Sequence, residues 1–116
     1  MSYIHPAPTI ITFTNGTGTG IVPDTDTEIH VGRAESIVIM IDTTAALNSC
    51  TDFDLNVHAE INKVWTTVPY AEKNVGDAEI KTLNLSPGIE RIRFRGDNNA
   101  GARADVTVTT KIRETR

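Results

Sequence analysis

Three histidines, a single cysteine and a spaced run of carboxylates are the residues of this chain whose types could do chemistry. His5, His30 and His58 stand far apart in the sequence. A metal centre needs two or more ligands at a constrained spacing, so each histidine reads as a side chain on the polar face of a strand. Cys50 lies in "LNSCTD" without the base that an activated nucleophile requires, and it reads as a small buried apolar group. In "DTDTE", Asp24, Asp26 and Glu28 recur at every second residue and would share one side of an extended segment. Oxygen ligands arranged this way could hold calcium, but the spacing and glycine of a calcium loop are missing. A charged, solvated edge that resists edge-to-edge pairing is the preferred reading. Arg95–Asp97 spell "RGD", an integrin-recognition tripeptide in which glycine and aspartate are also ordinary turn formers, and a turn is expected there. "NGT" at 15 to 17 is a glycosylation sequon, which acts only on a secretory route. Nothing here assembles into a catalytic constellation, so the chain reads as a non-enzyme without metal or cofactor.

Two other features suggest binding. Arg91, Arg93 and Arg95 alternate with Ile92 and Phe94, which puts three guanidinium groups on one strand face. Such a row is neutralised either by carboxylates of the same domain, Glu79 among them, or by an acidic patch on another subunit or a protein lattice. The sole tryptophan, Trp65, follows "INK". It is expected to plug one end of a core across from an apolar strand face. The alternative is an exposed stacking platform, with Tyr70, for a carbohydrate.

The elements that must position these residues are strands. The chain has 116 residues, a single domain's length, of which 39% are hydrophobic and 5% aromatic. That is a thin core, or one completed by a partner. Seventeen threonines, many inside apolar runs, favour a pleated surface over helices. "MSYIHPAP" (residues 1–8) holds two prolines and reads as an extended N-terminal arm, with Tyr3, Ile4 and His5 as candidate partner contacts. Residues 9–116 then form one domain: "TIITFT"; an edge segment in "IVPDTDTEIHV"; "ESIVIMI" as the most deeply buried strand; and "DFDLNVHAEI", alternating apolar with polar. Asn62 and Lys63 supply a two-residue hairpin loop, with Asn62 left-handed. "EIKTLNL", "IERIRFR" and "ADVTVTTKI" complete an all-β antiparallel sandwich or jelly roll of about seven to nine short strands.

A net charge of −4 and a pI near 5.2 argue against nucleic acid as the main partner. The lone cysteine excludes dependence on an internal disulfide, and no membrane-spanning or secretory pattern is present, so cytosolic synthesis is expected.

"LNVHAEINKVWTTVPY" followed by "IERIRFRGDNNAGARADVTVTT" resembles a pattern found in small proteins of tailed bacteriophages. There a strand ending in a "Ser-x-Asp-Gly-x-x-Trp" hairpin is followed by an alternating Val/Arg strand and a final Val/Thr strand. The resemblance covers about residues 52 to 112, and "AEINKVW" departs from it by lacking the Asp-Gly turn. It implies a head-decoration (cement) protein: a β-sandwich made in the host cytoplasm and carried on the capsid exterior of the virion. It also implies the major capsid protein lattice as partner and self-association as a homotrimer, with no nucleic acid or membrane. The arm and the arginine row are the expected contacts. A carbohydrate-binding or host-adsorption module of a phage fibre or tail is the other function expected of such a sandwich.

Overall fold

The computed structural model describes residues 2–115. They form ten strands: β1 (Tyr3–Ile4), β2 (Thr9–Gly16), β3 (Ile29–His30), β4 (Ala34–Asp42), β5 (Asp52–Ile61), β6 (Val64–Trp65), β7 (Ala71–Val75), β8 (Ile80–Leu85), β9 (Arg91–Ala100) and β10 (Ala104–Thr115). Setting aside the two-residue β1 and β6, the other eight pair first with last: β2 with β10, β3 with β9, β4 with β8, and β5 with β7. That nesting is a jelly roll. β1, β2, β10, β4 and β8 make sheet A, and β3, β9, β5, β6 and β7 make sheet B, all antiparallel. The described residues contain no helix, hence none long and apolar enough to cross a membrane.

Period-two patterning explains the core. Ile37, Ile39 and Ile41 of β4 meet Phe53, Leu55, Val57 and Ala59 of β5 in one buried cluster, and Phe13, Phe94, Val106 and Val108 join them. Phe13 and Phe53 contact edge-to-face, 5.5 Å between centroids at 68°, a favoured aromatic geometry. The bulk that a sparse aromatic content seemed to demand of Trp65 is thus supplied by three phenylalanines, and the core is continuous within one chain.

Two expectations are corrected here. "ESIVIMI" is buried on one face only: Val38 is 36% and Met40 37% exposed on the outside of sheet A. An unbroken apolar run does not reveal which alternate residues lose a covering layer. The "RGD" tripeptide is no turn, for it lies within β9, and the chain reverses beyond Ala100 at Gly101. Gly96 faces the core, opposite Leu55 of β5 on one side and hydrogen-bonded to Ile21 on the other, so it is required there by packing.

The β5–β6 hairpin is as expected. Ile61 pairs with Val64, and both loop residues are left-handed, Asn62 at φ 51° and Lys63 at φ 65°. Two positive φ values define the primed turn whose twist suits a hairpin. Asn tolerates this region but Lys is strained in it. Lys63→Gly is therefore expected to raise stability by roughly 0.5–1 kcal/mol, the relief of strain exceeding the entropy lost by glycine. Urea denaturation reads this directly, and a lowered midpoint would show that the turn gains nothing from glycine.

The arm is extended, as its prolines dictate, but it docks on its own chain. Tyr3 pairs with Thr115 and Ile4 with Glu114, continuing the β2 edge of sheet A after a break at residues 5–8. Pro6 and Pro8 have no N–H for the ladder, which accounts for the interruption.

Candidate functional site

The outer face of sheet B carries the arginine row and Trp65. Register sets the geometry: Arg91 stands opposite Glu60, Arg93 opposite His58, and Arg95 opposite Asn56, while Glu60 is also paired with Trp65 of β6. Arg91 forms a two-pronged ion pair with Glu60, its Nε donating to Oε1 at 2.7 Å and its Nη2 to Oε2, and it reaches Glu28 at 2.5 Å. Arg95 grips Asp26 through both terminal nitrogens at 2.8 and 3.1 Å. The fork of a guanidinium matches a carboxylate in this way.

Two members of the arginine row, Arg91 and Arg95, are therefore neutralised by Glu28 and Asp26 of the acidic run together with Glu60. Glu79, the partner named from sequence, lies elsewhere and pairs with Lys81 at 3.4 Å. The acidic run does not converge on one point either. Asp24 turns toward sheet A, accepting from the hydroxyls of Thr12 at 2.9 Å and Thr14 at 2.5 Å, while Asp26 and Glu28 turn toward β9. Its carboxylates clip the 21–28 segment to both sheets, and among the described residues no cluster of potential ligands could hold a metal ion.

Hydrogen bonding holds several of these acids below their ordinary range. The Arg91 guanidinium lowers Glu60, and the hydroxyl of Thr14 lowers Asp24. Arg103 lowers the buried Asp105, which also accepts from the backbone N–H of Asn15. Cys50 is fully buried and its thiol is pushed up by that burial, the behaviour of an inert packing residue.

Trp65 is not the core plug. It lies half-buried on the outside of sheet B, with the Arg93 guanidinium 4.5 Å and that of Arg91 5.6 Å from its ring centroid. The reason is parity: a residue opposite Glu60 shares that residue's outward face. At the hairpin tip Ile61 and Val64, of opposite parity to Trp65, are exposed, and the loop that follows exposes Val68 and Tyr70.

Among the arm residues, Tyr3 is exposed with the Arg113 guanidinium 4.3 Å from its ring, Ile4 is half-buried and His5 is exposed. Behind the arm a cleft of about 250 Å³ opens between Pro6, Ala7, Ile29, His30, Thr110 and Glu114. The Thr110 hydroxyl is buried without a hydrogen-bond partner among the described residues.

One surface was not visible in the sequence. Across the outside of sheet A, register aligns Ile10, Thr109, Met40 and Thr82 in one row and Thr12, Thr107, Asp42 and Ile80 in the next. Ile10 is 65% and Ile80 55% exposed. Lys111 and Asp42 are the charged residues among these and the adjoining Val38 row. Each strand alone looks like an ordinary half-polar strand, and only their pairing makes a threonine-rich, weakly charged face.

Fold and surface define the class: a single jelly-roll β-sandwich with a charged, internally paired face and an opposite apolar, threonine-rich one. No family model matches the chain, and no curated protein does. Solved structures do match it. The SPBc2 prophage-derived protein YomS is 15% identical, with a TM-score of 0.52 over 96% of this chain and 98% of that one. A protein of the Bacillus endospore appendages, disulfide-linked pili, is 10% identical at TM-score 0.55, over 98% and 88%. The Yersinia pseudotuberculosis-derived mitogen is 16% identical at TM-score 0.53, over 95% and 91%. At these identities the likeness is one of fold.

Proposed function

We propose that this chain is a structural protein that binds the outside of a phage capsid and stabilises the assembled shell, acting as a homotrimer. The observation that carries the reading is the outer face of sheet A. Ile10, Val38, Met40 and Ile80 are exposed there in adjacent register with little charge between them. A sheet face with several exposed aliphatic side chains among threonines and few charges suits a surface that another protein covers. The phage-like hairpin pattern and the fold shared with a prophage-derived protein support a virion setting. The fold shared with an appendage protein supports a structural role without catalysis. A protein that binds only the assembled shell stabilises that state by mass action, multiplied over many copies.

The carbohydrate alternative has less behind it, because guanidinium groups already stack on the Trp65 ring. The test is co-sedimentation with purified phage shells, alongside light scattering over a dilution series. Saturable binding and a mass near three times 12.6 kDa are expected. Met40→Glu should weaken both, because it sets a charge in the middle of the apolar face. A dilution-resistant monomer that stays in the supernatant would overturn the proposal.

A further inference from the structure

Within the arginine row one member stands apart. Arg91 and Arg95 are held by Glu60, Glu28 and Asp26, whereas Arg93 has neither an ion pair nor a hydrogen bond among the described residues. Its neighbour across the ladder is His58, not a carboxylate. Its Nε is sealed from solvent without an acceptor, while its terminal nitrogens are not among the sealed atoms. The ring of Trp65 lies against the guanidinium at 4.5 Å and fixes its orientation. The carboxylates nearest in the row are already engaged by Arg91 and Arg95, so they do not compete for it.

A desolvated donor without an acceptor is costly, and native proteins keep few of them. A planar, pre-oriented guanidinium with free terminal nitrogens is suited to a carboxylate, which it can bind through two parallel hydrogen bonds. The surroundings favour a protein as its source. Trp65 and Arg93 share the outer face of sheet B with the Arg91–Glu60 pair, and Trp and Arg are residues enriched at protein-interface hot spots. A sugar ring, by contrast, would have to compete with Arg93 for the indole.

We infer that Arg93, braced on Trp65, is the docking point for an aspartate or glutamate side chain of a partner protein. This rests on the capsid reading only for the identity of that partner, the shell protein.

Trp65 is the sole tryptophan, so its fluorescence reports on the site. At low ionic strength a polyglutamate peptide is expected to shift its emission saturably. Arg93→Gln should weaken that binding roughly tenfold or more, and Arg93→Lys, which keeps the charge without the fork, should fall between the two. Circular dichroism confirms that each variant is folded, and Arg93→Lys carries the test if Arg93→Gln is not. No saturable shift, or equal binding by Arg93→Gln, would overturn the inference. So would a response to polygalacturonate without one to polyglutamate, which would point to an acidic glycan.

Shell co-sedimentation separates the two proposals. Polyglutamate binding without shell binding would leave the site standing and remove the shell as its partner. Shell binding unchanged in Arg93→Gln would leave the capsid reading standing and remove the site.

Discussion

Gly96→Ala is expected to cost about 1–3 kcal/mol or more and to lower the melting temperature by about 10 °C. A Cβ built on Gly96 would lie 2.6 Å from Phe53 Cζ, 2.8 Å from Phe53 Cε1 and 3.1 Å from Phe13 Cε1. Phe53 and Phe13 are the edge-to-face pair at the centre of the core, both essentially without exposure, so neither ring has free space to enter. The backbone cannot yield easily either. Gly96 donates to the Ile21 carbonyl at 2.9 Å and accepts from the Ile21 N–H at 2.7 Å, while its other side is paired with β5. Phe53→Leu should offset part of the loss, because it withdraws the two ring atoms that clash. A double-mutant cycle with clear coupling between positions 53 and 96 would establish the mechanism. Additive losses, or a Gly96→Ala protein as stable as the parent, would refute it.

The second large effect is acid unfolding. Four carboxyls sit below their ordinary values: Asp24 through the Thr14 hydroxyl, Asp105 through Arg103, Glu60 through Arg91, and Glu79 through the backbone N–H of Gly76. In the unfolded chain they take up protons near the usual 3.8 for Asp and 4.5 for Glu, while the folded state still resists them. The unfolded state then binds more protons, and stability falls as pH drops. The melting temperature should be nearly level from neutral pH to about 5 and then decline steadily as pH falls below about 4.5. Asp105→Asn should lower stability at neutral pH and flatten part of that decline. A melting temperature that stays constant between about pH 5 and 3 would show that these hydrogen bonds do not discriminate between the two states.

Where side chains alternate, the strand pattern was legible. β5 could be read from Phe53 to Ala59 because a half-buried strand must alternate, and its hairpin from Asn62 because few residues tolerate left-handed geometry. What failed depended on partners distant in sequence. Glu28 meets Arg91 across 63 positions and Asp26 meets Arg95 across 69, so neither the acidic run nor the arginine row disclosed that it would be spent on the other. Gly96 looked like turn chemistry because glycine, aspartate and asparagine adjoin there, and only the two phenylalanine rings above it show otherwise. Trp65 was misplaced for want of parity: whether a hairpin residue faces in or out depends on its register with Glu60. The candidate site was legible as residues but not as geometry, since the isolation of Arg93 exists only once its neighbours have found their partners.

The position of β10 bears on how the molecule is made. It lies inside sheet A, bonded to β2 on one side and β4 on the other, yet it is the last strand in sequence order. A ribosome must therefore release almost the whole domain before sheet A can close. Until then β2 and β4 each present a strand edge with no neighbour, the kind of template on which chains aggregate. Contacts this distant in sequence fold on the slow side of the range, in milliseconds to seconds. Yield in a heterologous host should thus depend on how quickly nascent chains are completed and shielded from one another, more than on the final stability of the sandwich.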